Sequence, residues 1–323
     1  MNPRRMAALL LLLVLPSMTQ AQVKLPPETR NAALRYWMAF AEIKDPPSDK
    51  TTQEVLEKTA AGEAAWDEGK LGLILDWNAE ALGILQRATK LPECDWGVEY
   101  SRGPRTSIAV LPRARVLARL ATLQGIREMA KGEPQEAVET WIAELRFAQD
   151  LTRGGSLIYA LTAKSALMQE MRVLTAEARQ GRLNGAQKKQ LYAAVKTLPE
   201  EGFEWSRAWE MEEAAGETFF AEMQRSQSPV ELYESLMGTL APRDCVPPSA
   251  QQVQAYREYM SRVAAALRLP PPTSKQRLAG LDGKGESVCG AIRQAIPNSQ
   301  KVNDARIEVG AAREALLQAL QAK

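Results

Sequence analysis

Proline and glycine cut this chain into pieces of one kind. Between Pro26-Pro27, Pro46-Pro47, Pro92, Gly103-Pro104, Gly132, Gly154-Gly155, Asn184-Gly185, Pro229 and Pro270-Pro271-Pro272, the sequence is rich in Ala, Leu, Glu, Gln and Arg. These residues lose little on entering an α-helix. β-branched runs and Asn-Gly hairpin turns are scarce, so a sheet has little to be built from. The pattern predicts an all-α fold of antiparallel helix hairpins in a repeating or irregular helical array.

Apolar spacing and helix-end chemistry place the elements. A first helix opens at Pro26-Pro27-Glu28 and runs to about Ile43, stopped by Pro46-Pro47, because the residue before a proline is pushed out of the helical region. Thr51 and Glu54 read as a capping box for a short second helix. One continuous third helix is expected from about Lys70 to Lys90, buried over more than half its circumference by Leu71, Leu73, Ile74, Leu75, Trp77, Leu82, Ile84 and Leu85. Asn78 falls among these leucines and needs an internal hydrogen-bonding partner. Further helices are expected at about 111–131, 134–152, 156–180 with Ser156 as its cap, 186–197, 204–225, 229–240 and 249–268. Three consecutive prolines at 270–272 favour extended geometry. They divide the expected body (22–269) from a proline- and glycine-rich linker with C-terminal helices (270–323), a small helical appendage docked on that body.

The first 21 residues read as a secretory leader: Arg4 and Arg5, the apolar run Met6–Leu15, then a small-residue exit at Thr19-Gln20-Ala21. Ten apolar residues are too few to span a bilayer, which takes about 20. The expectation is a periplasmic or secreted chain with no membrane association in its mature form. The full sequence has 41 basic and 39 acidic residues, and the leader carries two of the former, so the mature chain is neutral. A neutral chain has no global field with which to gather nucleic acid.

Histidine is absent. Histidine-based nucleophile systems and H-E-x-x-H zinc sites are therefore excluded, and any enzyme here would rely on carboxylate, lysine, tyrosine or thiol chemistry. No cofactor motif and no metal-ligand spacing is present. The three cysteines are Cys94, Cys245 and Cys289. In an oxidising compartment one disulfide is expected, and Cys245 with Cys289 is favoured because both lie in loop-like contexts. That crosslink would contribute roughly 4 kcal/mol on the chain-entropy estimate. Three reduced thiols is the alternative.

Two resemblances follow. Gly125, Gly132, Ala137 and Trp141 hold the spacing of the small residues, turn glycine and packing aromatic of a tetratricopeptide unit. The hairpin over 118–151 therefore resembles one such unit, with Glu144 standing where the repeat has a small residue and no second copy at that period. The segment Ala79–Ala166 contains Leu91-Pro92-x-Cys94-Asp95-Trp96-Gly97, then Leu111-Pro112, then Lys131-Gly132-Glu133. It resembles an uncharacterised bacterial family of exported or membrane-anchored helical proteins. That resemblance covers about a third of the chain and implies no particular activity.

The candidate site residues follow from these patterns. Glu212 lies on the same helical face as Trp205, Trp209, Phe219 and Phe220, where desolvation would raise its pKa as a general acid requires. The simpler reading is an edge glutamate that pairs locally, with Glu210, Glu213 and Glu217 as a solvated stripe. Asp95 and Trp96 could line a pocket, or cap backbone and plug the core. Asn78 is either a ligand contact or a satisfied core amide. The leading expectation is an exported scaffold or binding protein that takes a protein or peptide partner in an inter-helix groove. The alternative is a carboxylate-dependent hydrolase of envelope glycan or peptide using Glu212 and Asp95.

Overall fold

The computed structural model describes residues 28–242, 244, 246–281 and 289–322. The segment read above as a secretory leader (1–21) and most of the glycine-rich run 280–290 lie outside the described residues. Among those described, the fold is all-α, and the sole β-type pairing is an isolated bridge between Asn31 and Glu93. The helices are α1 (Ala32–Glu42), α2 (Lys50–Ala60), α3 (Glu68–Trp77), α4 (Ala79–Ala88), α5 (Val110–Lys131), α6 (Pro134–Thr152) and α7 (Leu157–Arg179). After these come α8 (Gly185–Lys196), α9 (Trp205–Arg225), α10 (Pro229–Met237), α11 (Ala250–Leu267), α12 (Pro271–Ala279), α13 (Gly290–Ala295) and α14 (Ser299–Gln321). A 3₁₀ segment, Tyr100–Arg105, precedes α5.

Antiparallel α5, α6 and α7 form the centre. Gly132 ends α5 in the left-handed conformation (φ 79°) and Pro134 starts α6 two residues later, the asymmetric punctuation expected of helix ends. The two helices touch where a side chain is missing: a Cβ on Gly125 would stand 2.1 Å from Trp141 Nε1. Trp141 is fully buried at that contact. The α1/α4 pair covers one flank, α14 lies along α7 and α8, and α11 packs on α9. One hydrophobic cluster runs from Ala32 to Leu320.

Four local expectations are corrected. The third helix is two helices. The Asn78 side chain takes the Ile74 carbonyl (2.8 Å) that its own backbone N–H would take in a continuous helix, and it exchanges hydrogen bonds with the Lys44 backbone (2.9 and 3.0 Å). Its backbone sits at φ −104°, ψ 9° and the chain turns there. Leu73 and Trp77, assigned to the buried face, are exposed. The cap of α2 is Asp49, whose carboxylate accepts the Thr52 N–H (2.9 Å), in place of Thr51. Ser156 makes no side-chain cap for α7.

The fourth correction concerns the prolines. Only Pro270 is extended; Pro271 and Pro272 form the first turn of α12, where a missing N–H costs nothing. Beyond them, Arg306 of α14 is 2% exposed and holds both oxygens of Glu201 and the Leu269 carbonyl. The C-terminal helix is thereby tied into the core.

Candidate functional site

The head of α9 is where helix ends and loops from four parts of the chain converge. α6 ends at Thr152, and Gly154-Gly155 turn the chain into α7. Gly155 has φ 82°, and a Cβ on Gly154 would stand 2.1 Å from Tyr159 Cδ1, so the turn demands both glycines. Tyr100, from the 3₁₀ segment packed on α9, donates its hydroxyl hydrogen to the Gly154 carbonyl. Gln149 of α6 donates to the Gly202 carbonyl (2.7 Å), stitching the loop before α9 onto α6.

Two clefts open on either side of this junction. One, of about 600 Å³, is lined by Cys94, Tyr100, Gln149, Arg153, Phe203, Glu204, Arg207 and Met211 among others. The other, of about 610 Å³, is lined by Glu200, Glu201, Glu204, Arg207, Glu210, Arg268 and Arg306 among others. Pro199, Phe203, Glu204 and Arg207 belong to both walls, so the pair forms one divided trough. Its charge is balanced: Glu201 is held by Arg306, and Glu210 by Arg268 with Arg207 at 3.7 Å. Glu204 is exposed and has no ion-pair partner among the described residues.

The wall of the first cleft is anchored on Asp150. Its carboxylate accepts the Tyr36 hydroxyl hydrogen (2.8 Å) and sits 3.4 Å from Arg153. Burial pushes its pKa up, while the Tyr36 hydrogen bond and the nearby Arg153 and Arg146 pull it down. The Asp150 carbonyl accepts the Trp96 indole N–H (2.7 Å) and the Cys94 thiol (3.8 Å). Burial, then the Asp150 charge, pushes the Cys94 thiol up to about 12. A thiol so protonated is a poor nucleophile. Cys94 is free, whereas Cys289 is disulfide-bonded; Cys245, its expected partner, lies outside the described residues.

The sequence-derived candidates occupy separate places. Trp96 is 6% exposed and stacks on Tyr36 (5.5 Å between centroids) and Phe40 (6.1 Å). Asp95 accepts the Gly97 N–H (2.9 Å), and its backbone exchanges two hydrogen bonds with Asn31 (2.8 Å each). The Cys-Asp-Trp-Gly tetrad thus rivets a loop to α1 and α6. Glu212 accepts the Leu157 N–H (2.8 Å) and supplies the N-terminal cap that Ser156 does not. Burial raises its pKa and that hydrogen bond opposes the rise. Asn78 is fully buried and bonded to Lys44 and Ile74. Neither Glu212 nor Asp95 lines the trough, so the two are not brought together there.

Two buried acids that are not among the sequence-derived site candidates are Glu144 of α6 and Glu170 of α7. Both are fully buried. The Thr122 hydroxyl lies 2.9 Å from each oxygen of Glu144. Among the described residues neither oxygen of Glu170 has a hydrogen-bond partner of ordinary geometry; its polar neighbours, Glu144 and Thr122, oppose the effect of burial on its pKa. Burial raises both pKa values, Glu144 further through the Glu170 charge, and Glu170 reaches about 8. The pair therefore keeps a proton at neutral pH. A signal existed: Glu144 continues the Ala137, Trp141, Ala148 stripe, and Glu170 lies between Leu167 and Leu174 at helical spacing. Arg153, Arg207, Tyr100 and Phe203 carried no such signal, because the trough is made by tertiary convergence.

Among the described residues, no three acidic, cysteine or histidine side chains are grouped as a metal would need, and no helix is long and apolar enough to cross a membrane. Compared with protein-family models, curated proteins and solved structures, the chain gives no match.

Proposed function

We propose that this protein is an exported, non-enzymatic binding protein that takes an extended peptide or protein segment in the trough at the head of α9. The observation that carries this reading is the shared wall of Pro199, Phe203, Glu204 and Arg207 between two clefts of about 600 and 610 Å³. A lining that mixes apolar side chains such as Pro199 and Phe203 with charges of both signs suits a peptide, which offers side chains and backbone groups at once. Two of the four acids of the trough, Glu201 and Glu210, are engaged by arginine, which favours recognition over acid–base chemistry. The tetratricopeptide-like spacing of Gly125, Gly132, Ala137 and Trp141, and the likeness of the Cys94–Gly97 segment to exported helical proteins, support the same reading. The leader at 1–21 puts the site of action in the periplasm or outside the cell.

The test is selection of a displayed peptide library on the wild-type protein, followed by affinity measurement on an Arg153→Glu/Arg207→Glu variant. Selected peptides are expected to bind the variant at least roughly tenfold more weakly. Peptides that bind both proteins equally, or a library from which nothing is enriched, would contradict the proposal.

A further inference from the structure

Helix α5 carries four arginines, and the fold treats them in two ways. Arg113 is paired with Asp45 (2.6 Å), and Arg127 with Glu68 and Asp76. Arg115 and Arg119 have no ion-pair partner among the described residues, and Arg119 makes no side-chain hydrogen bond there either. Four residues apart, they stand one above the other on a single helical face, where like charges repel. An anion between them converts that repulsion into two charge-assisted contacts.

The facing wall is polar and carries no acid. α7 packs against α5 and contributes Thr162, Ser165 and Gln169, a stripe at i, i+3, i+7 spacing, to a cleft of about 70 Å³ shared with Arg115 and Arg119. Ala118 and Ala166 also line it, and longer side chains at those two positions would fill the space. No Asp or Glu is in the lining. The polar groups are held from behind. Thr162 donates its hydroxyl hydrogen to the Ile158 carbonyl (2.8 Å) and accepts from Arg115 Nη2 (3.3 Å), while Gln169 donates one amide hydrogen to Thr122 (2.9 Å). That leaves the remaining guanidinium N–H groups, the second Gln169 amide hydrogen and the Ser165 hydroxyl available as donors.

We propose that this cleft binds a phosphate group, either as the free anion or as the end of a phosphomonoester. Charge selects the ligand, since two cations and no carboxylate line the cleft. Size limits it: a water's share of liquid volume is about 30 Å³, so the cleft has room for one tetrahedral oxyanion, and the body of an ester would lie in solvent. The guanidinium fork matches paired phosphate oxygens in a way that a lysine ammonium does not. None of these residues lines the trough at the head of α9, so the phosphate site stands or falls independently of the peptide reading.

The test is isothermal titration calorimetry of the purified protein with inorganic phosphate, at constant ionic strength in chloride. Arg115→Gln, Arg119→Gln and Arg225→Gln variants are titrated alongside, the last replacing an exposed arginine outside the cleft. Circular dichroism establishes that each variant is folded. The wild type is expected to show one saturable site with a Kd of about 1 mM or tighter. Binding should weaken roughly tenfold or more in each cleft variant and stay unchanged in Arg225→Gln. Competition by O-phosphoserine would identify the end of a monoester as a ligand, and phosphate binding without such competition would identify the free anion. No saturable phosphate binding would overturn the proposal. So would binding that is undiminished in both cleft variants, or weakened as much by Arg225→Gln.

Discussion

Four glutamates line the second cleft at the head of α9, and two sit between α6 and α7 at the centre of the molecule; the chain treats the two groups in opposite ways. At the cleft, Glu201 and Glu210 face solvent on one side and arginine on the other, so their charge is retained and directed. At the centre, Glu144 and Glu170 are fully buried and no cation among the described residues is paired with either, so the proton takes the place of the cation. Raised pKa values thus mark the buried carboxyls Glu144 and Glu170, while at the cleft Glu201 and Glu210 are balanced by arginine and Glu204 stands exposed.

The contrast can be broken most forcefully at Arg306. Its side chain is 2% exposed and holds Glu201 and the Leu269 carbonyl. Arg306→Ala should cost about 3–5 kcal/mol in urea denaturation, because an uncompensated acid and a buried carbonyl remain. If arginine there acts mainly to balance Glu201, the double variant Arg306→Met/Glu201→Met should recover most of that loss.

The central pair makes the next prediction through pH. Both carboxyls have folded pKa values above the unfolded one, so their stabilisation is fully present below an unfolded value of about 4.3. It is lost as pH rises toward and through about 8, where Glu170 titrates. Over that window the stability of the wild type should fall by up to about 1.4 kcal/mol per pH unit for each proton released. Glu170→Gln should flatten the slope and leave the variant more stable than the wild type at alkaline pH, by equilibrium unfolding at fixed temperature.

Smaller effects sharpen the picture at the helix contacts. Gly125→Ala sets a methyl against Trp141 and should cost about 1–3 kcal/mol through overpacking. Glu212→Ala removes the cap on the Leu157 N–H and should cost about 1 kcal/mol. Glu212→Gln, whose amide oxygen still accepts that hydrogen, should stay within a few tenths. A much larger loss in the Gln variant would show that the charge of Glu212 matters more than its hydrogen bond.

Much of the fold was legible because helix ends are written in local chemistry. Gly132 and Pro134 mark the α5/α6 turn, and the apolar stripes of α5, α6 and α7 have helical period. The break at Asn78 was not, since an asparagine among leucines reads as a buried polar group until its partner, the Lys44 backbone 34 positions away, is known. Nor was the start of α12, because Pro270-Pro271-Pro272 satisfies both an extended segment and a helix first turn. For the site, the tetrad at Cys94–Gly97 stood out as a motif, and its role as a rivet depends on Asp150, which only the fold supplies. The trough is assembled from the Cys94 and Tyr100 loop, the end of α6, the 199–204 loop and α9. No window of sequence contains it.

The division between balanced and protonated acids is tested most directly by following glutamate side-chain carboxyl carbons by NMR through a pH titration, with Glu144→Gln and Glu170→Gln used for assignment. The expected result is that the buried pair keeps a proton at neutral pH, with Glu170 titrating near 8 and Glu144 displaced upward from the ordinary carboxylate range by burial and by the Glu170 charge. Titration of Glu144 and Glu170 together with the exposed glutamates, in the ordinary carboxylate range, would contradict it.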